Sequence, residues 1–198
     1  MASIVSDGPQ YLPMGTRSVK IVILGAFGVG KTTLVQTISE IAPLQTEERL
    51  TQAGQSVDDL PVAGKTTTTV AMDFGRRTLG DGSIVVYMFG APGQDRFAQT
   101  VRLILEGALG ALVMVDTRHI EQSWDSIGLL EEASVPYVIA VNQFSDAPPY
   151  SEAILRDALS LPRDRPLVYI DARHIHSVKA ALVALVTDIL RPMGNFTR

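Results

Sequence analysis

Gly25-Ala26-Phe27-Gly28-Val29-Gly30-Lys31-Thr32 fits the pattern G-x-x-x-x-G-K-[ST] at every fixed position. The residues on either side decide how to read it. Val19-Lys20-Ile21-Val22-Ile23-Leu24 is a short apolar run rich in β-branched residues and predicts a buried strand. Leu34, Val35, Ile38 and Ile41 follow at helical spacing, and Pro43 stops the helix. A glycine turn with a chance lysine does not require a strand before it and a helix after it; a phosphate-binding loop does. Glycines let the backbone curl until its N–H groups point at phosphate oxygens, and the helix N-terminus adds its dipole. The phosphate-binding set is therefore Gly25, Ala26, Phe27, Gly28, Val29, Gly30, Lys31, Thr32 and Thr33. In this motif Lys31 reaches the β- and γ-phosphates, and Thr32 offers its hydroxyl to Mg²⁺.

Outward from the loop, residues 1–17 are rich in Ser, Gly and Pro without period and read as a flexible N-terminal arm, leaving 18–198 as one domain. Residues 43–68 are polar and irregular and read as a long exposed loop. Val70 to Leu79 and Ser83 to Phe89 are strand-like, with Gly80-Asp81-Gly82 as a hairpin turn between them. A second loop spans Gly90 to Arg96. Further strands are expected at 111–115, 137–141 and 167–170. Helical stripes fall at Ile120, Trp124 and Ile127, with Trp124 core or half-buried, and at Ile154, Leu155, Ala158 and Leu159. The last helix carries Val178, Ala181, Leu182, Leu185, Val186, Ile189 and Leu190 on one face, with Ser177 as its N-cap. Strands alternating with helices predict a three-layer α/β/α domain with a six-stranded, mostly parallel sheet and one antiparallel edge strand.

Composition narrows the class. The chain has 198 residues, 46% apolar, and a formal net charge of -4. No Lys/Arg run marks a nucleic-acid face. With no cysteine, disulfides, thiolate metal sites, prenylation and palmitoylation are excluded. No stretch approaches the roughly 20 apolar residues that span a bilayer, and the start lacks the pattern of a signal peptide. A cytoplasmic protein without a direct membrane anchor is expected. His119, His174 and His176 have no matching ligands and suggest no metal site.

Ala91-Pro92-Gly93-Gln94-Asp95-Arg96-Phe97 resembles the second switch of Ras-like GTPases, and Thr69-Val70-Ala71-Met72-Asp73-Phe74 resembles the end of the first. The T-x-x-x-D-F spacing, the P-G-Q and Asp171-Ala172-Arg173 are similar to a bacterial branch, the MglA-like and conservon-type GTPases. The resemblance implies a small GTP/GDP switch using Mg²⁺, partnered by a Roadblock-type protein, with a GAP or an exchange factor. It implies that Gly93 senses the γ-phosphate and Gln94 orients the attacking water. It implies that Thr69 closes over Mg²⁺, with Thr66, Thr67 and Thr68 as competitors. Asn142, Gln143, Ala172 and Arg173 fall where the family holds its base.

Three positions depart from that pattern. The carboxylate that holds Mg²⁺ through water falls on Gly90. Asp73, four residues after Thr69, is the candidate substitute; the other reading is an acid on an edge strand. N-K-x-D appears as Asn142-Gln143-Phe144-Ser145, and a serine cannot accept the two hydrogen bonds that guanine offers a carboxylate. Asp146, one residue later, is the candidate replacement. Pro92 stiffens the second switch, so Gln94 either positions water or has an interaction role. Asp116 either touches the site or caps its own turn. Arg76, Arg77 and Arg96 are candidate finger arginines or surface charge. The function expected is slow GTP hydrolysis in a signalling switch. The rivals are a binding-only pseudo-GTPase, a P-loop NTPase with relaxed base specificity, and an ATPase or small-molecule kinase.

Overall fold

The structure, a computed structural model, describes residues 15–42, 44–50, 68–79, 82–93 and 97–191. β1 (Arg17–Leu24) lies at the centre of the sheet, and its alternate residues feed opposite faces. Ile21 and Ile23 pack with Leu34, Val35 and Ile38 of α1 (Lys31–Ile38) and with Val178, Ala181 and Leu185 of α5 (Ile175–Ile189). Val22 and Leu24 pack with Val101 and Leu105 of α2 (Ala98–Leu105), Ile127 and Leu130 of α3 (Trp124–Glu132) and Leu155 of α4 (Glu152–Ala158). The result is the expected three-layer α/β/α domain. Its central strands β5 (Gly110–Val115) and β6 (Tyr137–Asn142) are buried throughout because both faces are covered.

Strand order is β2-β3-β4-β1-β5-β6-β7, with β2 at Leu44–Leu50, β3 at Thr68–Leu79, β4 at Ile84–Gly90 and β7 at Leu167–Ile170. The six strands read from sequence are present, and β2 is added to them. β3 runs against β4, and β2 pairs antiparallel with β3, so β3 is the one strand of opposite direction. It stands second from the edge, because β2 covers it. Thus part of the segment read as a loop is strand. The polar sequence of β2 hides this, since its pairing is carried by backbone hydrogen bonds along β3.

Other boundaries shift for local reasons. α1 ends at Ile38, before Ile41, because Ser39 is extended and the Glu40 N–H donates to the Arg76 carbonyl of β3. α5 starts at Ile175, so Ser177 is inside its first turn. The Ser177 hydroxyl accepts from the Asp171 N–H. A 3-10 turn (Ile120–Ser123) precedes α3, and Trp124 is 56% exposed, its indole N–H donating to the Ala158 carbonyl. Arg17, counted with the N-terminal arm, opens β1 and pairs with Ile84; residues 1–14 lie outside the described residues. Among the described residues no helix is long and apolar enough to cross a membrane.

β4 and β5 flank β1 on opposite sides. The chain therefore reverses its direction of winding at β1, and the carboxyl end of that strand is the crevice where open α/β sheets hold ligands.

Candidate functional site

The phosphate loop leaves the carboxyl end of β1 and enters α1 through Gly30, whose φ of 103° is left-handed. A Cβ there would also lie 2.8 Å from Asn142 Nδ2, so the position takes only glycine. Asn142, at the end of β6 and 5% exposed, ties three segments together. Its Nδ2 donates to the Val29 carbonyl at 2.9 Å, and its Oδ1 accepts from the Ala172 N–H at 3.0 Å. Val29 is buried beneath the loop, whereas Phe27 at its tip is 81% exposed.

Lys31 Nζ donates to the carbonyls of Gly25 and Ala26, each at 2.7 Å. Burial pushes its pKa down to about 8, against the pull of the nearby Asp73 carboxylate. Thr32 donates its hydroxyl to Asp73 Oδ2 at 2.6 Å, although the two are 41 residues apart. Asp73 reaches this point because it sits opposite Gly90 in the β3–β4 register. A Cβ on Gly90 would lie 3.0 Å from Asp73 Cβ and 3.0 Å from its Oδ2. A side chain on Gly90 and the Asp73 carboxylate would thus compete for the same space.

Among the described residues no group of three or more His, Cys, Asp and Glu gathers. A hydroxyl and a single carboxylate are hard oxygen donors. They suit a cation that keeps several waters and takes its remaining ligands from phosphates, as Mg²⁺ does. Thr69 is placed by its backbone in β3, opposite Arg49 of β2. Gly93 lies against the loop: a Cβ on it would be 2.6 Å from the Gly25 carbonyl oxygen and 2.7 Å from Lys31 Nζ. Gln94, Arg96, Thr66 and Thr67 lie outside the described residues. Arg76 is ion-paired with Glu40 at 3.0 Å. A cavity of about 360 Å³ opens between Pro92, Gly93, α2 and α3, on the outer side of Gly25 and Ala26.

On the other side of the loop a crevice of about 190 Å³ is bordered by Gly28, Gly30, Thr33 and the segments 142–145 and 171–173. Gln143, Ala172 and Arg173 are therefore brought to one place with the phosphate loop. Asp146 is not among the residues bordering it. Its carboxylate accepts from Arg118 Nη1 at 2.8 and 2.9 Å. Arg118 also binds Asp116 and lies 3.9 Å over the Phe144 ring. Asp116 accepts the Arg118 N–H as well, capping its own turn. Its burial opposes ionisation, but these hydrogen bonds prevail and hold its carboxyl below the ordinary value.

Two partners here were not singled out from sequence as parts of the site. Asp171 borders the crevice and grips Arg173: Oδ1 accepts from Nε at 2.9 Å and Oδ2 from Nη2 at 2.7 Å. Those hydrogen bonds hold the Asp171 carboxyl well below the usual carboxylate range. Arg118 is the other. The i, i+2 spacing of Asp116 to Arg118 and of Asp171 to Arg173 was the available signal.

Residues 23–192 match a family described as "conserved hypothetical ATP binding protein". "Uncharacterized protein MJ1339" of Methanocaldococcus jannaschii is 32% identical over 127 residues, which cover 63% of this chain and 70% of that protein. Two solved structures of the cytosolic domain of the T. maritima FeoB iron transporter share the fold. The apo form gives a TM-score of 0.62 at 16% identity, over 89% of this chain and 66% of that one. The GDP form II gives 0.61 at 17% identity, over 89% and 65%. This chain thus spans a little under two thirds of those structures.

Proposed function

The chain belongs to the family of conserved hypothetical ATP-binding proteins, P-loop nucleotide-binding proteins, and from that premise we propose that it binds GTP with Mg²⁺ and hydrolyses it slowly to GDP. The observation that carries the reading is the Thr32–Asp73 hydrogen bond beside Lys31, in the space left by Gly90. Lys31 and the N–H groups of the loop hold the β- and γ-phosphates. Thr32 and Asp73, joined by Thr69 from β3, hold Mg²⁺, which when bound would neutralise charge on the phosphate oxygens. In this reading Gly93, which packs against the loop, senses the γ-phosphate, and Gln94 after it orients water. Water attacks the γ-phosphorus, the bond from that phosphorus to the β–γ bridging oxygen breaks, and GDP, inorganic phosphate and a proton leave. With no finger arginine assigned, unassisted turnover should fall below about 10⁻² s⁻¹.

The finer reading, an MglA-like or conservon-type cytoplasmic switch, rests on the P-G-Q and T-x-x-x-D-F matches. In it, the γ-phosphate orders the two switch segments, and a Roadblock-type partner, a GAP or an exchange factor reads that order. The family description names ATP, whereas one FeoB structure is a GDP form. The decisive experiment is competition binding of GTP, GDP, ATP and XTP, with Mg²⁺ and then with chelator, alongside phosphate release. Tight Mg²⁺-dependent binding of GTP with slow phosphate release is expected. Tight binding with no release, even over many hours, would make the chain a binding-only module. Absence of triphosphate binding would overturn the proposal.

A further inference from the structure

We propose that the cavity of about 360 Å³ between Pro92, Gly93, α2 and α3 binds a small organic cation: an amine, amidinium or guanidinium on an apolar body, seated against Trp124 with its charge at Asp125. The cavity lies on the outer side of the phosphate loop, so its occupation does not depend on a nucleotide in that loop.

Two features of α3 have no explanation in the packing of the domain. Trp124 is 56% exposed, although a large aromatic left in water forgoes the gain of burial. Its indole N–H donates to the Ala158 carbonyl at 3.1 Å, which fixes the ring where it stands. Gly128 follows one turn later on the same side of the helix, inside α3 and with an ordinary helical backbone. A Cβ on Gly128 would meet nothing within 4 Å, so neither packing nor conformation requires glycine there. Glycine also weakens a helix interior relative to alanine. Its effect is to leave a bare stretch of helix beside the indole, and both residues border the cavity.

The remaining groups around the cavity set its chemistry. Leu24, Val101 and Leu129 supply apolar walls. The Gly25 and Ala26 carbonyls accept from Lys31. The other polar side chains are Gln122, Asp125 and Ser126, and among the described residues none of the three enters a hydrogen bond or ion pair. An unpaired carboxylate therefore stands beside a fixed indole and an apolar wall. An acid in the first turn suits the helix dipole, which accounts for Asp125 but for neither the glycine nor the exposed indole. A carboxylate accepts charge-assisted hydrogen bonds from a cation, and an indole face attracts one. The Gln122 amide and the Ser126 hydroxyl can accept further N–H groups. One carboxylate is too few for a bare metal ion, and among the described residues no group of three or more His, Cys, Asp and Glu gathers. Trp124 and Gly128 also border a second cavity of about 290 Å³ toward α4, but its carboxylate, Glu131, already accepts from the Tyr137 hydroxyl. The charge of the ligand is thus assigned to Asp125.

The test uses benzamidine as probe, with benzyl alcohol and benzoate as its neutral and anionic counterparts. Trp124 is the only tryptophan of the chain, so its emission, excited at the red edge of its absorption, reports on this site alone. Benzamidine should change that emission saturably, with a Kd on the order of 1 mM, as suits a fragment of its size. Benzyl alcohol and benzoate should bind at least about tenfold more weakly. Asp125→Asn should weaken benzamidine by about tenfold or more. Gly128→Leu, which fills the space beside the indole, should abolish saturation, while melting curves show it to be no less stable than the native chain. No saturable change with the native chain would overturn the proposal, as would benzyl alcohol or benzoate binding as tightly as benzamidine. Those comparisons need no variant. Unchanged benzamidine affinity in a folded Asp125→Asn or Gly128→Leu would overturn it equally.

Discussion

Asp73 and Gly90 face each other across the antiparallel β3–β4 pairing, and an ideal Cβ on Gly90 would come within 3.0 Å of the Asp73 carboxylate. The two positions are therefore coupled. Asp73 can lean over β4 toward Thr32 because Gly90 has no side chain. Asp73→Asn and Asp73→Ala should reduce the gain in GTP affinity that Mg²⁺ brings by on the order of tenfold. Gly90→Ala should reduce it in the same direction by a smaller factor, since its methyl displaces the carboxylate by only a few tenths of an ångström. Affinity in chelator should stay within about twofold, because the loop and Lys31 hold phosphate without the metal. Titrating Mg²⁺ at fixed GTP measures all three. An unchanged metal dependence in Asp73→Ala would make Asp73 a structural partner of Thr32 and nothing more.

At the scale of elements, the site depends on side chains that tie the end of one strand to the next. Asn142 joins β6, the phosphate loop and the loop after β7 through two buried hydrogen bonds. Asn142→Ala orphans the Val29 carbonyl and the Ala172 N–H, at about 1–3 kcal/mol for each group. Urea unfolding should register a loss of about 2–6 kcal/mol, and a loss below about 0.5 kcal/mol would mean that water replaces the amide. Asp116 and Arg118 similarly join the loops after β5 and β6. The folded Asp116 pKa is depressed, so its contribution to stability is complete above the unfolded value near about 3.9 and fades as pH falls through the folded one. The stability gap between the native chain and Asp116→Asn should thus be widest near neutrality and close below about pH 4. A gap independent of pH would show that shape rather than charge matters there.

These ties also mark where the sequence was readable. The phosphate loop, the buried strands and the face of α5 follow from local period, which a single stretch displays. β2 does not, because Gln45, Thr46, Glu47, Glu48 and Arg49 show no apolar alternation and the strand is defined by its partner. The ion pair of Arg118 with Asp146 spans 28 residues and links two loops, so no local pattern announces it. Asp73 was legible only through the family spacing, and its neighbour Gly90 only as an absence.

For the whole molecule, the loops after β1, β5, β6 and β7 all meet at one end of the sheet, and a nucleotide spanning them would link their stabilities. A ligand that binds only the folded state adds RT ln(1 + [L]/Kd), or about 2.7 kcal/mol at a hundredfold excess over Kd. For a domain of this size each kcal/mol raises Tm by about 2–4 °C. Saturating GTP with Mg²⁺ should therefore raise Tm by about 5–10 °C. Lys31→Ala should abolish most of that shift. Its own melting temperature without nucleotide should change little, or rise, because it removes a buried ammonium whose pKa is pushed down to about 8. Two controls separate the causes. Chelator should shrink the shift through Asp73 and Thr32 while leaving the unliganded Tm unchanged, and inorganic phosphate alone should give only a small part of it. A shift of the same size with phosphate alone would mean that the loop is stabilised by any anion, and that the base crevice adds nothing to binding.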